Sequence, residues 1–399
     1  FESYKKAISL KSNFYETYNN IGVLLQEMKK YEESIPYFKK TISLKTNYSN
    51  AYNNMGMSFK GIGKIEQAIE SFRNALLYDK NHSQAYCNLG IVLLIVKNFD
   101  EAITSLLRAI SINPNYEAAY NNIGIAYKEV GNFEAAISNF QKAISLKPNY
   151  YQVYNNLGAI YHNNGNYNQA IENYKKAILI NPNYHQAKHM LDALLGKNKT
   201  NTHNDYIIDL FDEFAGSFEN SLKNKLSYTL PSLIKDLVLT NNKSKNLGSI
   251  LDLGCGTGLV GKEFVNYTND LQGVDISKLM INEAQKKQVY NNLTEGEIVD
   301  YLSTNTLDFN YFIAADVFIY IGDISKIFSL IKSKNKSSGK LVFSTEHNDN
   351  QDIKLEVSGR FSHSKNYIDR LCYLHNFKIL SFEIIKLRKD RKDFITGGL

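Results

Sequence analysis

A glycine-rich segment in the second half of the chain has the residue types of a nucleotide-binding turn. Residues 250–258 read ILDLGCGTG, an apolar strand that runs into glycines at every second position, and an amphipathic segment from Leu259 to Tyr267 follows directly. Glycine lets the backbone bend sharply and approach a ligand closely, and the free N–H groups of a following helix favour a negative group. The segment is therefore expected to bind a nucleotide.

The spacing of the glycines leaves two classes of nucleotide open. Gly256, Gly258 and Gly261 satisfy the G-x-G-x-x-G spacing of dinucleotide-binding proteins. Asp252, just before the glycines, weighs against that class because its carboxylate would repel a pyrophosphate. The same carboxylate suits a ligand that carries an ammonium group and no phosphate.

The pattern LDLGCGTG resembles motif I of class I S-adenosylmethionine-dependent methyltransferases. The resemblance continues along the chain, because LQGVDIS at 271–277 is similar to the second strand of that fold and FIAADV at 312–317 to the fourth. IVD at 298–300 is expected to end the third strand. The resemblance implies a Rossmann-like α/β domain that binds S-adenosylmethionine and transfers its methyl group.

The resemblance also implies roles for individual residues around the cofactor. Asp252 and the backbone at Gly254 and Gly256 are expected to hold the methionine end, and Asp275 the ribose hydroxyls. Ile276 would pack on the adenine, with Asp300 near its amino group. A solvated strand end is the alternative for each acid. The full set of expected cofactor-binding residues is Asp252, Leu253, Gly254, Cys255, Gly256, Gly258, Asp275, Ile276, Asp300 and Ala315.

Four further residues are candidates for catalysis. Methyl transfer mainly needs alignment of the acceptor and exclusion of water. A nitrogen or oxygen acceptor must lose a proton, and His347 and His363 are candidate bases because the pKa of histidine lies near neutrality. Each histidine has the alternative of being a polar loop residue. Asp316 and Tyr320 are candidates for orienting an acceptor amine or hydroxyl, and no Cys/His or HExxH arrangement indicates a metal.

The composition is that of an ordinary globular protein with two or three domains. The chain has 399 residues, 43% of them hydrophobic and 22% charged, and its net charge of +6 indicates neither a nucleic-acid binder nor a membrane-surface protein. The longest apolar run, Leu89 to Val96, is far below the ~20 residues that span a bilayer. Cys87, Cys255 and Cys372 lie far apart, which favours a reducing compartment and a cytoplasmic location. The chain begins at Phe1 and not at a methionine, so a fragment is expected.

The first half of the chain is a repeat array. An aromatic residue stands four positions before each repeat glycine, a small residue follows twelve after, and proline ends the later units. The glycines recur every 34 residues, at Gly22, Gly56, Gly90, Gly124 and Gly158. The pattern resembles the tetratricopeptide (TPR) repeat and implies an all-α superhelix of helix pairs. The helices of the fourth unit are predicted at Glu117–Glu129 and Phe133–Leu146.

Packing gives no reason for one further position of the repeat. Asparagine, a poor residue for the middle of a helix, stands two before every repeat glycine. These residues are Asn20, Asn54, Asn88, Asn122 and Asn156. The row is similar to the asparagine ladder of O-linked N-acetylglucosamine transferases and implies a groove that grips the backbone of an extended protein or peptide partner. The alternative is compositional bias, since asparagine also stands beside the row at 19, 53, 121 and 155.

The sequence predicts three segments. TPR repeats are expected at 1–195, with five full units from Tyr15 to Tyr184, a partial unit before them and a capping helix after them, then a linker at 196–204 and a methyltransferase domain at 205–399. That order resembles a bacterial group of TPR-linked methyltransferases.

Within the second domain, an amphipathic helix is expected at Tyr206–Glu219, with Phe211, Phe214 and Phe218 on one face that either covers the cofactor or packs on the sheet. A fifth strand is expected at Lys340–Glu346, a helix at Lys365–His375 and a sixth strand at Phe377–Arg388. The last, antiparallel strand of the fold would begin only at residue 397 and is expected to be missing.

Two functions from different classes follow. In the first, the protein is an S-adenosylmethionine-dependent methyltransferase whose repeats bind a protein or peptide. In the second, it is a TPR adaptor whose methyltransferase-like domain is inactive, and the expected loss of a strand favours this alternative.

Overall fold

The computed structural model describes residues 13–197, 202–215, 218–219, 222, 228–242, 244–390 and 393–399. The chain divides into two units, Phe1–Pro182 and Asn183–Leu399. The predicted partial repeat at Phe1–Phe14 lies outside the described residues except for its last two, and the centre of the predicted linker, 198–201, lies outside them as well.

Within residues 13–182, ten helices form five pairs. The bounds are α1 Tyr15–Glu27, α2 Tyr31–Leu44, α3 Ser49–Gly61, α4 Ile65–Tyr78, α5 Ser83–Ile95, α6 Phe99–Ile112, α7 Glu117–Glu129, α8 Phe133–Leu146, α9 Tyr151–Asn163 and α10 Tyr167–Ile180. The predicted bounds of the fourth pair, α7 and α8, are confirmed. The all-α repeat array is therefore the architecture of the first unit.

The repeat glycines let the two helices of each pair approach closely. A Cβ added to Gly124 would lie 2.6 Å from Cε1 of Phe140, whose side chain is fully buried. The same contact recurs in every pair, between Gly22 and Phe38, Gly56 and Phe72, Gly90 and Leu106, and Gly158 and Tyr174. Each glycine thus makes room for a large side chain sixteen residues later.

The second unit is an α/β arrangement. Its helices are α11 His185–Leu194, α12 Asn204–Phe214, α13 Leu230–Thr240, α14 Leu259–Phe264, α15 Lys278–Lys286, α16 Ile298–Thr304, α17 Ser325–Lys334 and α18 Lys365–Leu374. Its strands are β1 Ser249–Leu253, β2 Asp270–Asp275, β3 Asn292–Glu295, β4 Tyr311–Ala314, β5 Lys340–Phe343, β6 Thr345–His347, β7 Ile353–Leu355, β8 Phe361–His363, β9 Ile384–Asp390 and β10 Asp393–Gly398. The helix α11, predicted as the cap of the repeats, belongs to this unit.

The strands form two sheets. The first is parallel with the order β3-β2-β1-β4-β5, and the second has the order β7-β8-β6-β10-β9. The strand β1 pairs with β2 on one side and with β4 on the other. The strand order therefore changes direction at β1, which makes this position a topological switch point. In open α/β sheets a ligand binds at the carboxyl ends of the strands at such a point.

The parallel sheet is covered on both faces, as its strand composition requires. Alternate residues of β1 enter two different core clusters, with Leu251 and Leu253 in one and Ile250 in the other. The first cluster also holds Phe312 and Phe328, which are buried at 0% and 1% exposure. Both cores therefore fix the end of β1 where the glycine segment begins.

Two strand predictions in this unit were wrong in their bounds. Residues 298–300 do not end the third strand, since β3 ends at Glu295 and 298–300 are the first turn of α16. The Glu297 side chain accepts a hydrogen bond from the Asp300 N–H at 2.8 Å and so begins this helix. The predicted strand 340–346 is divided at Ser344 between the two sheets.

The prediction that the last strand is missing was also wrong. Residues 393–398 form β10, which pairs antiparallel with β6 on one side and with β9 on the other. The sixth strand begins at Ile384 instead of Phe377, because the ladder starts only where β10 runs alongside, with Gly398 opposite Ile384. Ile379 and Leu380 before it are 41% and 61% exposed, so their apolar character does not mark a buried strand. Among the described helices, none is long and apolar enough to cross a membrane.

Candidate functional site

The glycine segment after β1 forms a tight turn whose N–H groups are largely used within the protein. Gly254, Gly256 and Gly258 have φ of 67°, 52° and 87°, a region that favours glycine. The N–H groups of Gly254 and Cys255 both donate to the Val274 carbonyl, at 2.8 and 3.0 Å. The helix α14 that follows has only six residues, so a ligand site is inferred from the turn alone.

Gly256 is the place where the backbone of the turn lies open. Among the described residues, an added Cβ would have one heavy atom within 4 Å, Cε1 of Phe218 at 3.9 Å. By contrast, a Cβ on Gly254 would lie 2.6 Å from the Val317 side chain. The space beside Gly256 is therefore available to a ligand, whereas Gly254 is required for packing.

Asp275 connects the end of β2 to the turn. Its carboxylate accepts hydrogen bonds from the N–H groups of Gly256 at 2.8 Å and Ser277 at 2.9 Å. Burial raises the pKa of Asp275, and the two N–H donors act in the opposite direction. A carboxylate has about four acceptor positions, so two remain for ligand hydroxyls.

Asp252 does not point at the open side of the turn. Its side chain is 1% exposed and accepts a hydrogen bond of 2.6 Å from the Tyr290 hydroxyl, which in turn accepts from the Gly261 N–H at 3.1 Å. Within the described part of the chain the second carboxylate oxygen has no hydrogen-bond partner. Burial raises the pKa of Asp252 to about 7.

A cavity of about 780 Å³ lies at the carboxyl ends of β1, β2 and β4, within the size range of small-molecule sites. Six of the ten expected cofactor-binding residues line it, namely Gly254, Cys255, Gly256, Asp275, Ile276 and Ala315. Asp252, Leu253, Gly258 and Asp300 are outside the lining. The acid that lines the cavity beyond β3 is Glu297, beside Ile298 and Val299. The Gly296-Glu297 pair directly after the β3 residues is the signal that points to it.

Aromatic side chains cover one wall of this cavity. The rings of Phe211 and Phe218 are 6.0 Å apart, and those of Phe211 and Tyr320 are 5.0 Å apart and nearly perpendicular. All three residues line the cavity. The side chain of Phe214, the third predicted aromatic of this face, lies outside the described residues. The described part of this wall presents apolar ring surface to the space beside the turn.

The two non-histidine candidates for catalysis both line the cavity. Asp316 has φ of 59°, which is uncommon for a residue other than glycine, and its N–H donates to Ser344 Oγ at 2.9 Å. Tyr320 lies on the short 3₁₀ turn Phe318–Tyr320 that follows. Strained backbone of this kind concentrates at functional sites.

The two histidine candidates, His347 and His363, lie outside the lining of this cavity. His363 is buried, with Nδ1 bonded to Thr345 Oγ1 and Nε2 2.7 Å from the Gly322 carbonyl. Burial lowers the pKa of His363 to about 4, so it stays neutral. Nε2 of His347 is 3.0 Å from the Asp349 carboxylate. Both are explained as structural polar residues.

In the repeats, the asparagine row has packing contacts that the sequence analysis missed. Asn54, Asn88 and Asn156 each donate to the asparagine three before the glycine of the preceding repeat, at 3.2, 2.9 and 3.4 Å. The acceptors are Asn19, Asn53 and Asn121. Asn122 donates to the Ala118 carbonyl of its own helix at 2.8 Å, and Asn20 is exposed. Three of the neighbouring asparagines are thus hydrogen-bond partners of the row.

The described ranges contain neither a metal-binding cluster nor an exposed cysteine. There, no group of three or more His, Cys, Asp or Glu side chains is placed to hold a metal ion. The cysteines Cys87, Cys255 and Cys372 are free and buried, and burial raises the pKa of each thiol. Thiolates are the reactive form, so burial disfavours reactivity of these cysteines.

Comparison with known families places both units. Tetratricopeptide repeat models match residues 15–48, 49–82 and 151–184, and a TPR repeat model matches 97–131 and 126–165. A methyltransferase domain model matches residues 244–384. That range holds the glycine turn, Asp275 and Glu297.

Similar individual proteins include an uncharacterized methyltransferase of Schizosaccharomyces pombe (strain 972 / ATCC 24843), 28% identical over 145 residues. The match covers 31% of this chain and 51% of the yeast protein, so the chain spans about half the length of this curated relative.

Among solved structures, MamA of Desulfovibrio magneticus RS-1 is 25% identical, with 43% of this chain and 96% of MamA covered and a TM-score of 0.40. YrrB, described as a TPR protein with an unusual peptide-binding site, is 25% identical, with 47% and 96% covered and a TM-score of 0.40. The chain thus consists of tetratricopeptide repeats followed by a methyltransferase domain.

Proposed function

We propose that the second unit is a methyltransferase that uses S-adenosylmethionine, and that the repeats bind a protein or peptide. The use of S-adenosylmethionine is inferred from one observation, namely that N–H groups of the glycine turn are already hydrogen-bonded within the protein. Those of Gly254 and Cys255 are bound to the Val274 carbonyl, and that of Gly256 to the Asp275 carboxylate. A phosphate needs such donors free, and a carboxylate beside it repels it. A nucleoside with a cationic group and no phosphate meets neither obstacle.

The described residues fit that cofactor on independent grounds. The backbone at Gly256 leaves an open space. The Thr257 hydroxyl beside it is buried without a hydrogen-bond partner among the described residues. Asp275 would hold the ribose hydroxyls, Glu297 would meet the adenine, and Ile276 and Val299 would pack on the base. Asp252 acts through Tyr290 on the shape of the turn and does not itself line the cavity.

When bound, S-adenosylmethionine supplies a methyl group already activated by a positively charged sulfur. The chain's own residues then have three tasks, which are to orient the acceptor, to exclude water and to accept a proton where the acceptor atom carries one. Asp316 and Tyr320 stand on the cavity wall where an acceptor can be oriented, and the Phe211 and Phe218 rings keep water out. Because neither histidine lines the cavity, we assign Asp316 as the group that accepts the proton from the acceptor atom.

The partner-binding part rests on the repeats. Their asparagine row remains half-buried at Asn54, Asn122 and Asn156, so amide groups are still within reach of a partner although some contact neighbouring repeats. Segment bounds of 1–195 for the repeats and 205–399 for the methyltransferase domain remain a prediction. Free, buried cysteines support a reducing compartment, and a cytoplasmic location remains a prediction as well.

The alternative is a TPR adaptor with an inactive methyltransferase-like domain. Its main support was the expected loss of the last strand. Because β10 occupies that place beside β6, the support is removed. No other feature of the described cavity favours the adaptor over the enzyme.

Isothermal titration of the full chain with S-adenosylmethionine and S-adenosylhomocysteine tests the proposal. The wild type is expected to bind both, and Asp275→Asn to bind them about 10- to 100-fold more weakly, since hydrogen bonds to a charged group are worth about 1.5–3 kcal/mol. Asp270→Asn is the matched control, because Asp270 lies on the same strand away from the cavity. Binding of a nicotinamide dinucleotide but neither sulfur ligand would refute the proposal.

A further inference from the structure

We propose that the methyl acceptor carries a carboxylate or a phosphate, which Arg360 binds at the end of the cavity away from the glycine turn. The inference rests on the proposed function and names the chemical class of its second substrate. The glycine turn itself gives no reason to expect a carboxylate or phosphate on the acceptor.

The aromatic wall defines two ends of the cavity. Phe218 lies at the turn, 3.9 Å from the Cβ position of Gly256, and Phe211 connects it to Tyr320. Tyr206 also lines the cavity and is buried at 6% exposure. Arg360 and Ser358 also line the cavity, and the His189 ring that stacks on Tyr206 contacts the carbonyl of Gly359 between them.

Arg360 has a fixed backbone and an available guanidinium. The Arg360 carbonyl accepts from the Glu356 N–H at 2.8 Å, and the preceding Gly359 carbonyl is 2.6 Å from His189 Nε2. The His189 ring stacks on the Tyr206 ring with centroids 4.2 Å apart. The guanidinium itself donates no hydrogen bond to any residue that the structure describes, and its side chain is 27% exposed.

The ion pair between Arg360 and Glu346 is long, so the Arg360 guanidinium can still form hydrogen bonds to an anion. Its Nη1 is 4.0 Å from a carboxylate oxygen of Glu346, beyond hydrogen-bond distance. A planar guanidinium with five N–H donors binds a carboxylate or phosphate through two parallel hydrogen bonds of about 2.8 Å. A ligand anion therefore gains contacts that Glu346 does not make.

The cavity lining contains both positive and negative side chains besides Arg360. Lys326 also lines the cavity and adds a second positive charge. Asp316, which we assign as the proton acceptor, and Asp323 are further acids of the lining, and one carboxylate oxygen of Asp323 accepts from the Tyr367 hydroxyl at 2.8 Å and the Ser325 N–H at 2.9 Å. The acids Asp275 and Glu297 belong to the strand ends that we assign to the cofactor.

The test is titration of the full chain, saturated with S-adenosylhomocysteine, with two matched pairs of aromatic probes. The pairs are benzoate with benzamide and phenyl phosphate with phenol, each read by calorimetry and by ligand-observed NMR. We expect at least one acid to bind tenfold or more tightly than its neutral partner, and the preferred acid identifies the anion. Arg360→Met should abolish this difference and leave the affinity for S-adenosylhomocysteine unchanged.

Two further variants keep the result interpretable. Arg370→Met is the control, because Arg370 pairs with Asp352 outside the cavity, and it should leave the difference intact. Glu346→Gln should raise the affinity for the acid severalfold by releasing Arg360, whereas a purely structural ion pair predicts no gain. Equal binding of acid and neutral probe, with S-adenosylhomocysteine still bound, overturns this inference alone. Failure of the wild type to bind S-adenosylhomocysteine overturns the proposed function as well.

Discussion

Asp252 provides a test of how the glycine turn is held. Its carboxylate is buried at the end of β1 and receives one hydrogen bond, from Tyr290. Burial raises its pKa to about 7, although the Tyr290 hydroxyl acts in the opposite direction. We therefore expect the second unit of the wild type to lose stability as the pH rises. The Asp252→Asn variant, which has no carboxylate to ionise at this position, should not show this loss.

The magnitude follows from the difference between the folded and unfolded pKa values. The folded state binds the proton more tightly, since its pKa of about 7 exceeds the ordinary value of 3.8. The stabilising contribution is therefore complete below pH 3.8 and is lost as the pH rises through 7. Between pH 5 and pH 8 the wild type should lose roughly 2.5 kcal/mol more unfolding free energy than Asp252→Asn, at about 1.4 kcal/mol for each unit of pKa difference.

Hydrogen exchange read by mass spectrometry is the suitable assay, because it reports on each unit separately. Peptides from β1 and β4 are followed between pH 5 and pH 8 with intrinsic exchange rates corrected, and peptides from α7 and α8 serve as the internal control. Identical pH dependence of the β1 protection in wild type and Asp252→Asn would refute the reasoning. That result would mean that Asp252 is ionised at pH 5 and faces water or a cation.

Two predictions concern the repeats. Gly124→Ala places a Cβ 2.6 Å from the Phe140 ring and should destabilise α7 and α8 by about 1–3 kcal/mol in the same exchange assay. Gly131→Asn, in the open turn at φ of 82°, should cost less, and an equal loss would contradict the packing argument. Asn88→Ala removes a buried hydrogen bond to Asn53 and should cost about 1–3 kcal/mol. Asn122→Ala leaves the contacts between repeats in place, so it should weaken recovery of a cross-linked partner without loss of stability, and unchanged recovery would count against a peptide groove.

The features that the sequence predicted correctly are those with local causes. The bounds of α7 and α8 follow from the repeat period, since each helix of a pair has its own apolar face and its own end signals. The strand β1, the turn after it and the acid that ends β2 follow from residues within a few positions of one another. Positive φ at three glycines is what their spacing indicates.

Most of the features that were missed depend on residues far apart in the chain, and Glu297, whose capping contact with Asp300 is local, is the exception. Glu297 replaces Asp300 at the cavity because it caps α16, which turns the next residues away from β3. The start of β9 depends on where β10 runs, and the apolar residues from Phe377 onward carry no information about that partner. Arg360 reaches the cavity because His189, 170 residues before Gly359, fixes the loop that carries it.

Asp252 shows the limit of a motif most directly. The spacing of LDLGCGTG places an acid next to the ligand turn, but it does not determine which way the carboxylate points. Tyr290, 38 residues later, takes that carboxylate and leaves the Gly256 N–H to Asp275. In the proposed function Asp275 therefore has two roles, since it would close the turn against a phosphate and present its remaining acceptor positions to a sugar. A substitution at Asp275 should for this reason alter both the affinity of the site and its choice between nucleotides, whereas a substitution at Asp252 should alter the stability of the turn.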